Sequence, residues 1–393
     1  MNPALLRYEW HAIPWPRLAR RVCKLPKWIS RASQRGHVQR LRKLQRLRLQ
    51  ATSAKLRATR RVTQDHQGKR TAGVDGVASL TPKDRLDLAA RLTLVGRSKP
   101  GRRIWIPTPG QPAKRPLGLP PMEDRARQAL AKLALEPEGA ARFEPNSSGF
   151  RPGRTCPDAI EALVSAIKTK HAYVLDADLS GCFDNIDQTA PLTQLNPTPR
   201  VRRAIKGGPR RGRIPEDRTG HASRGGRSPL RANIALHGRE QDTKKAREAD
   251  LLAAMKREGQ KARKGDAATR LSIIRYADDF LALHKARDSV RKAHAFRVHW
   301  LKGLGLELKP SKTRSGPPLE AVGGKAGFNF LGFTSRQSRG RTNKDGDTTL
   351  INPSQAAVKR PRWTLRQELR ALRGAPQEAV LQQRNPIVKG WSR

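Results

Sequence analysis

In a chain with 81 Lys and Arg against 33 Asp and Glu, three carboxylates stand where they could work together. Asp178 ends an apolar run that opens at His171–Val174, and Asp278-Asp279 sits between two further apolar runs, Leu271–Tyr276 and Phe280–Leu283. Short β-type runs flanking a two-residue polar break read as a hairpin. Two adjacent strands that deliver carboxylates to one edge make a hard-oxygen site suited to Mg²⁺. Two such ions, about 3.5–4 Å apart, activate an attacking hydroxyl and stabilise the leaving oxygen in an in-line displacement at phosphorus. Attack of a 3′-hydroxyl on an α-phosphate is that reaction, and in it a protein mainly positions groups and neutralises charge. Asp-Asp at a hairpin tip is also ordinary turn chemistry. The chemical reading gains weight from Asp178 being followed five positions on by Phe183, then Asp184-Asn185-Ile186.

The elements that must position these residues are legible in outline. Residues 1–62 read as a basic helical region, in which Val38, Leu41, Leu44 and Leu47 recur every third residue. Arg40, Arg42, Lys43, Arg46 and Arg48 lie between them, so one stripe is expected to bury while the other faces meet phosphate, or remain a solvated surface. Gln67–Val77 is Gly-rich and turn-like. Arg103–Pro107 and Lys114–Pro120 predict a basic hairpin. Residues 123–140 predict a helix with Ala129, Leu130, Leu133 and Leu135 on its apolar face. Between Gly207 and Gly226 the chain turns to Gly, Arg and Pro, a loop composition. Residues 240–265 read as a charged, Ala-rich helical stretch, and Ala357–Leu372 as a basic helix.

The formal net charge is +48. Such self-repulsion works against compaction and is explained by a polyanionic partner, since each cation that neutralises a phosphate releases a counterion. Seven Trp and eight Phe with periodic apolar segments argue for a folded core rather than a basic disordered chain. Cys23, Cys156 and Cys182 form no CxxC pair, which excludes a zinc finger or disulfide scaffold. No run of 18 apolar residues occurs, so no membrane-spanning helix is expected. The Arg-rich, acid-poor N-terminus fits an organellar transit peptide only as well as the rest of this Arg-rich chain does.

Val174-Leu175-Asp176-Ala177-Asp178-Leu179-Ser180-Gly181-Cys182-Phe183-Asp184-Asn185-Ile186-Asp187 resembles the first catalytic strand of group II intron reverse transcriptases and maturases, and Arg275-Tyr276-Ala277-Asp278-Asp279-Phe280 resembles their second. The resemblance runs from Trp28 to Asn185 almost without a break, through Gly73-Val74-Asp75-Gly76, Arg115-Pro116-Leu117-Gly118 and Ser148-Gly149-Phe150-Arg151-Pro152-Gly153. It resumes at Gly305-Leu306-Glu307-Leu308, Lys312-Thr313 and Phe330-Leu331-Gly332-Phe333. It implies an α+β, right-hand polymerase fold: a basic helical N-terminal extension (1–62), fingers (63–170), a palm with an antiparallel sheet (171–340) and a helical thumb beginning at 341. The expected function is RNA-directed DNA polymerisation on group II intron RNA from a DNA primer with dNTPs and two Mg²⁺ ions, Mn²⁺ being an alternative, with a part in splicing and mobility. By the resemblance Asp178 and Asp278 are metal ligands with Asp279 completing the cluster, and Lys312 is placed to protonate or neutralise pyrophosphate. Phe183 is the bulky residue that excludes a ribose 2′-hydroxyl; read without the resemblance it is equally a core aromatic. Lys114, Arg115 and Arg103 are candidates to clasp the triphosphate or to bind template backbone. RNA binding falls to Arg40, Arg42, Lys43, Arg46 and Arg48.

Two departures qualify this expectation. Where the family has Gln-Gly-Gly, two residues, then Ser-Pro, this chain has Arg224-Gly225-Gly226-Arg227-Ser228-Pro229. Upstream, Gly207-Gly208-Pro209 replaces a helix, and Gly and Pro disfavour helix by about 1 and about 3 kcal/mol relative to Ala. Reduced polymerase activity is the expectation, and the alternative is a non-catalytic RNA-binding splicing cofactor or relic on the same fold. Asn385-Pro386-Ile387-Val388-Lys389-Gly390-Trp391 resembles the start of the later thumb, after which the chain stops at Arg393; the expectation is a truncated thumb without the Cys/His-bearing nuclease domain.

Overall fold

The computed structural model describes residues 9–95, 99, 101–107, 114–168, 173–180, 194–195, 197–199, 201–202, 228–238, 242–243, 245, 271–284, 286–310, 313–316, 321–322, 325–338 and 348–391. Phe183, Lys312, the Arg224-Gly225-Gly226 segment and the charged stretch 240–265, apart from its residues 242, 243 and 245, lie outside them.

The N-terminal half is built around one long helix. Helices α1 (Trp15–Gln34), α2 (Val38–Gln50), α3 (Thr52–Arg60) and α4 (Pro82–Arg91) precede the hairpin β1 (Arg102–Pro107) and β2 (Lys114–Leu119). Helix α5 (Met122–Arg142) follows. Its Met122, Ala126, Leu130 and Ala134 recur every fourth residue and are buried, and Glu123 and Asp124 in its first turn favour the positive end of the helix dipole. The first three of these residues pack with Ala54 and Ala58 of α3 and Leu88 of α4. Helix α4 starts at a capping box, with Thr81 and Asp84 each serving the other's backbone N–H.

The stripe read on α2 resolves differently from the expectation. Leu41 is buried, but Val38 and Leu47 are about half exposed, and the buried face is Leu41, Gln45 and Arg48. A strict three-residue repeat drifts against a helix of 3.6 residues per turn, so Val38 and Leu47, nine positions apart, point to opposite sides. Arg48 lies seven positions from Leu41 and therefore shares its buried face.

The second half is a five-stranded antiparallel sheet. Strand β3 (Tyr173–Ser180) is central, flanked by β5 (Asp279–His284), which pairs with β4 (Ser272–Tyr276). On the other side of β3 lie β6 (Glu307–Leu308) and β7 (Arg314–Gly316). Alternation divides the strands between two cores. Leu175, Ala177, Leu179, Ile273, Phe280 and Ala282 pack with helices α7 (Ser228–Ala235) and α8 (Arg287–Lys302). Val174, Ile274, Leu281 and Leu283 pack on the other face with Ala159, Leu163 and Ile167 of α6 (Cys156–Lys168). A short pair, β8 (Ala321–Val322) and β9 (Lys325–Ala326), leads to the meander β10 (Phe328–Phe330), β11 (Phe333–Ser338) and β12 (Thr348–Pro353). Helices α9 (Gln355–Ala371) and α10 (Gln377–Trp391) close the described chain. No described helix is long and apolar enough to cross a membrane.

Candidate active site

The register of the sheet brings two of the expected carboxylates together. Asp178 on β3 is the direct cross-strand partner of Asp279 on β5, which puts their Cβ atoms about 4.5–5.5 Å apart on one face. Asp279 opens β5 and the β3–β5 pairing stops at this pair, while β3 runs on through Leu179 and Ser180 against β6. On the opposite face the neighbouring Phe280 is 1% exposed and carries the Arg297 guanidinium 3.8 Å above its ring centroid, so β5 is anchored one residue from Asp279. The backbone N–H of Lys309 donates to the Asp178 carbonyl at 2.9 Å, which fixes β3 from its other side. Among the described residues no group of three His, Cys, Asp or Glu side chains is arranged to hold a metal ion.

Asp278 sits in the two-residue loop Ala277-Asp278 between β4 and β5, closed by the Tyr276–Asp279 pair. A positive φ at the first loop position is the type II′ pattern, which favours Gly there. This chain places Ala277 there at φ 58°, at a cost of about 1–2 kcal/mol. A strained residue persists where its surroundings over-determine it, and those surroundings come from residues 143–151. The segment 146–148 runs beside β4, with Arg275 N–H donating to Asn146 O and Ser148 N–H donating to Arg275 O, each at 2.9 Å. Gly149 then lies flat against the loop: a Cβ there would overlap the Ala277 amide nitrogen and stand 2.8 Å from the Tyr276 carbonyl carbon. Arg151 holds the segment in shape by donating to the carbonyls of Glu144, Ser147 and Ala140.

Glu144 joins this segment to the end of α7. Its carboxylate accepts from the Gly238 N–H at 2.6 Å and lies 3.1 Å from Nδ1 of His237. Burial opposes ionisation, but the His237 hydrogen bond, backbone hydrogen bonding and the charges of His237 and Arg275 outweigh it and hold the carboxyl at about 2. A depressed carboxylate contributes stability that is present above its ordinary value of 4.5 and is lost as pH falls toward 2. Glu144→Gln is therefore expected to cost about 3 kcal/mol near neutral pH. Urea denaturation of both proteins at decreasing pH should show the gap closing between about 4.5 and 2; a gap independent of pH would remove the ionised carboxylate from the explanation.

Residues 106–335, more than half of the chain, match the model of the reverse transcriptase (RNA-dependent DNA polymerase) family. The chain belongs to the reverse transcriptase family. Residues 10–92 match the N-terminal domain of reverse transcriptase. Among curated relatives, Protein YkfC of Escherichia coli K12 is 34% identical over 136 residues, 32% of this chain and 35% of that protein. The group II intron-encoded protein LtrA of Lactococcus lactis is 34% identical over 98 residues, 25% of this chain and 16% of LtrA. A 91 kDa protein in the cob intron of Schizosaccharomyces pombe is 25% identical over 259 residues, 55% of this chain and 32% of that protein. The chain thus spans about a third or less of the length of these relatives.

The expected cationic residues of this chain separate into surface and interior. On the β1–β2 hairpin, the cross-strand pairs Arg103–Gly118, Trp105–Pro116 and Pro107–Lys114 share a face, and the backbone of Arg115 pairs with that of Ile106. Trp105 is half exposed with the Arg103 guanidinium 5.9 Å from its ring centroid, so Arg103, Trp105 and Lys114 lie along one face. Of the α2 residues, Arg40, Lys43 and Arg46 are exposed. Arg42 instead donates at 2.8 Å to the fully buried Glu138 of α5 and also to the Leu195 carbonyl. Arg48 is 2% exposed, and burial, with a smaller contribution from Arg57, lowers its guanidinium to about 10. Sequence reasoning passed over the more regular cationic face, on α1. Arg17, Arg20, Lys24, Lys27 and Arg31 recur there every three or four residues, continued by Arg35 at the C-cap, all exposed beside the half-exposed Trp28. The i, i+3, i+4 spacing of exposed cations was the available signal.

Proposed function

We propose that this chain is an RNA-directed DNA polymerase of the group II intron type, which binds intron RNA and extends a DNA primer with dNTPs. The observation that carries the reading is the placement of Asp178 opposite Asp279, beside an Asp278 held at a strained hairpin tip. Mg²⁺ fits this donor set, because it is held through one or two carboxylates and completes its shell with water and substrate phosphates. The three side chains do not by themselves form a three-ligand cluster, but one or two carboxylates per ion suffice for Mg²⁺, so Asp178, Asp278 and Asp279 would hold two such ions, which when bound supply charge neutralisation for the attacking and leaving oxygens.

The chain's own residues do the rest of the work by placement. Strands β3 and β5 hold the carboxylates to a fixed separation, and Phe280 under Arg297 keeps that edge from slipping. Lys114 and Arg115 on the hairpin are assigned to the triphosphate, with Arg103 as a second candidate. Phe183 is assigned to the sugar check and Lys312 to the leaving pyrophosphate. On this reading α1–α3 are the RNA-binding extension, residues 63–170 the fingers, 171–340 the palm and 341–393 the start of the thumb. The α1 face supports RNA binding together with Arg40, Lys43 and Arg46. On α9, Trp363 is 64% exposed and shares a helix face with Lys359, Arg366 and Arg370, a stacking-plus-phosphate surface of the kind single strands occupy.

The test is primer extension by the purified chain on an RNA template with dNTPs and Mg²⁺. Extension that requires the metal and prefers dNTPs over rNTPs is expected. Arg224, where the family has Gln, favours one rival, a splicing cofactor without polymerase activity. Tight, salt-sensitive binding of intron RNA with no extension would select that rival.

A further inference from the structure

The buried guanidinium of Arg275 has no assigned role, although it stands two residues from the reacting edge. Arg275 is on the opposite face of the sheet from Asp178 and Asp279, by its register with Phe280, and is 6% exposed. Its Nη1 donates to Oδ1 of Asn233 at 2.9 Å and to the carbonyl of Ala277 at 3.2 Å, and its Nη2 donates to Oγ of Ser147 at 2.5 Å. Asn233, on α7 and 1% exposed, turns its amide N–H to the carbonyl of Gly149 at 2.7 Å. Gly149 is the residue whose backbone lies against the Ala277 amide.

These contacts close a ring: Arg275 to Asn233, Asn233 to Gly149, Gly149 against Ala277, and Ala277 back to Arg275. Three segments far apart in sequence meet in it, and the point where they meet is the left-handed residue that carries Asp278. Buried polar groups that are fully partnered rigidify what they join, whereas a partly satisfied network loosens it. A planar guanidinium can serve three acceptors in fixed directions, which an ammonium cannot reproduce. The ionised Glu144 carboxylate nearby supplies counter-charge, as its response to Arg275 indicates.

We propose that Arg275 and Asn233 are positioning residues that hold the Ala277-Asp278 tip in its left-handed turn and thereby set where the Asp278 carboxylate meets the metal. The proposal rests on the polymerase reading above. Its chemistry is local, however: the pair touches no substrate and acts only through the backbone that bears Asp278.

The full chain carrying Arg275→Lys or Asn233→Ala would be compared with wild type and with Glu138→Gln, whose buried ion pair lies in the helical half. Two readouts are needed: Mn²⁺ binding followed by electron paramagnetic resonance without nucleotide, and steady-state primer extension. For Arg275→Lys the expected result is Mn²⁺ affinity weakened at least about fivefold and kcat lowered about 30-fold or more. The KM for dNTP and the affinity for primer–template should stay within about threefold. Asn233→Ala should give the same signature, and the double variant should be no worse than Arg275→Lys alone, because members of one unit are not additive. Glu138→Gln should lose thermal stability without weakening Mn²⁺ binding. Wild-type Mn²⁺ affinity in Arg275→Lys, or a kcat loss no larger than that of Glu138→Gln at equal loss of Tm, overturns the proposal. Should wild type extend no primer, the polymerase reading fails by itself, and Mn²⁺ affinity still decides whether the ring positions the tip. If Arg275→Lys does not fold, Asn233→Ala decides the matter by the same two readouts.

Discussion

Asp278→Ala is expected to lower primer extension by at least about 1000-fold, which corresponds to roughly 4 kcal/mol of transition-state stabilisation, while leaving the protein folded. Asp278 is only partly buried, and its turn is held through the backbone of Ala277, by the close approach of Gly149 and by the Arg275 guanidinium, so loss of the carboxylate removes no apolar core. Asp178→Asn should be as damaging to activity and also reports on the metal. Asp178 and Asp279 are direct cross-strand partners, and like charges so placed repel unless a cation lies between them. Without metal, Asp178→Asn should therefore raise Tm slightly. Wild type should gain stability with rising Mg²⁺ as RT ln(1 + [Mg²⁺]/Kd), and Asp178→Asn should lose most of that gain. Differential scanning fluorimetry with and without Mg²⁺ measures both effects. An Mg²⁺-induced shift as large in Asp178→Asn as in wild type would mean that the ion binds elsewhere, and the two-carboxylate reading would be abandoned.

The carboxylates are legible in the sequence because strand alternation and a two-residue polar break are local signals. Helix α5 and the β1–β2 hairpin are legible for the same reason. The partnership of Asp178 with Asp279 is not, because register between strands about a hundred residues apart is decided by which faces both cores accept, and that requires α6, α7 and α8 in place. Arg42 and Arg48 show the opposite limit: in a chain with this many arginines nothing local distinguishes a cation that meets phosphate from one that closes a core. An every-third-residue stripe reads as one face, although a helix cannot keep it there. Arg275 is hidden by the same abundance. It adjoins the second catalytic motif, yet its function lies in Asn233 and Ser147, which no spacing rule connects to it. The positive φ of Ala277 is equally out of reach, since the turn type is set by the segment packed on it rather than by Ala itself.

That segment gives the second large effect. Gly149→Ala is expected to lower kcat about 100-fold or more while costing about 1–3 kcal/mol of stability, the range for a side chain forced into filled space. The atoms a methyl would strike are the Ala277 amide nitrogen and the Tyr276 carbonyl carbon, both backbone, so no side chain can swing aside. Either residues 148–150 retreat, breaking the Asn233 amide's bond to the Gly149 carbonyl, or the hairpin tip moves and takes Asp278 with it. A displacement of about 1 Å at a reacting group is enough to cost a hundredfold. Gly153→Ala in the same motif separates strain from displacement. Gly153 is left-handed at φ 70°, but a Cβ there has open space around it, so Ala should cost about 1 kcal/mol of stability and leave kcat nearly unchanged. Equal activity losses in the two variants would indicate general loosening of the motif. A large loss confined to Gly149→Ala, with weaker Mn²⁺ binding, would tie catalysis to the close approach of these two backbones.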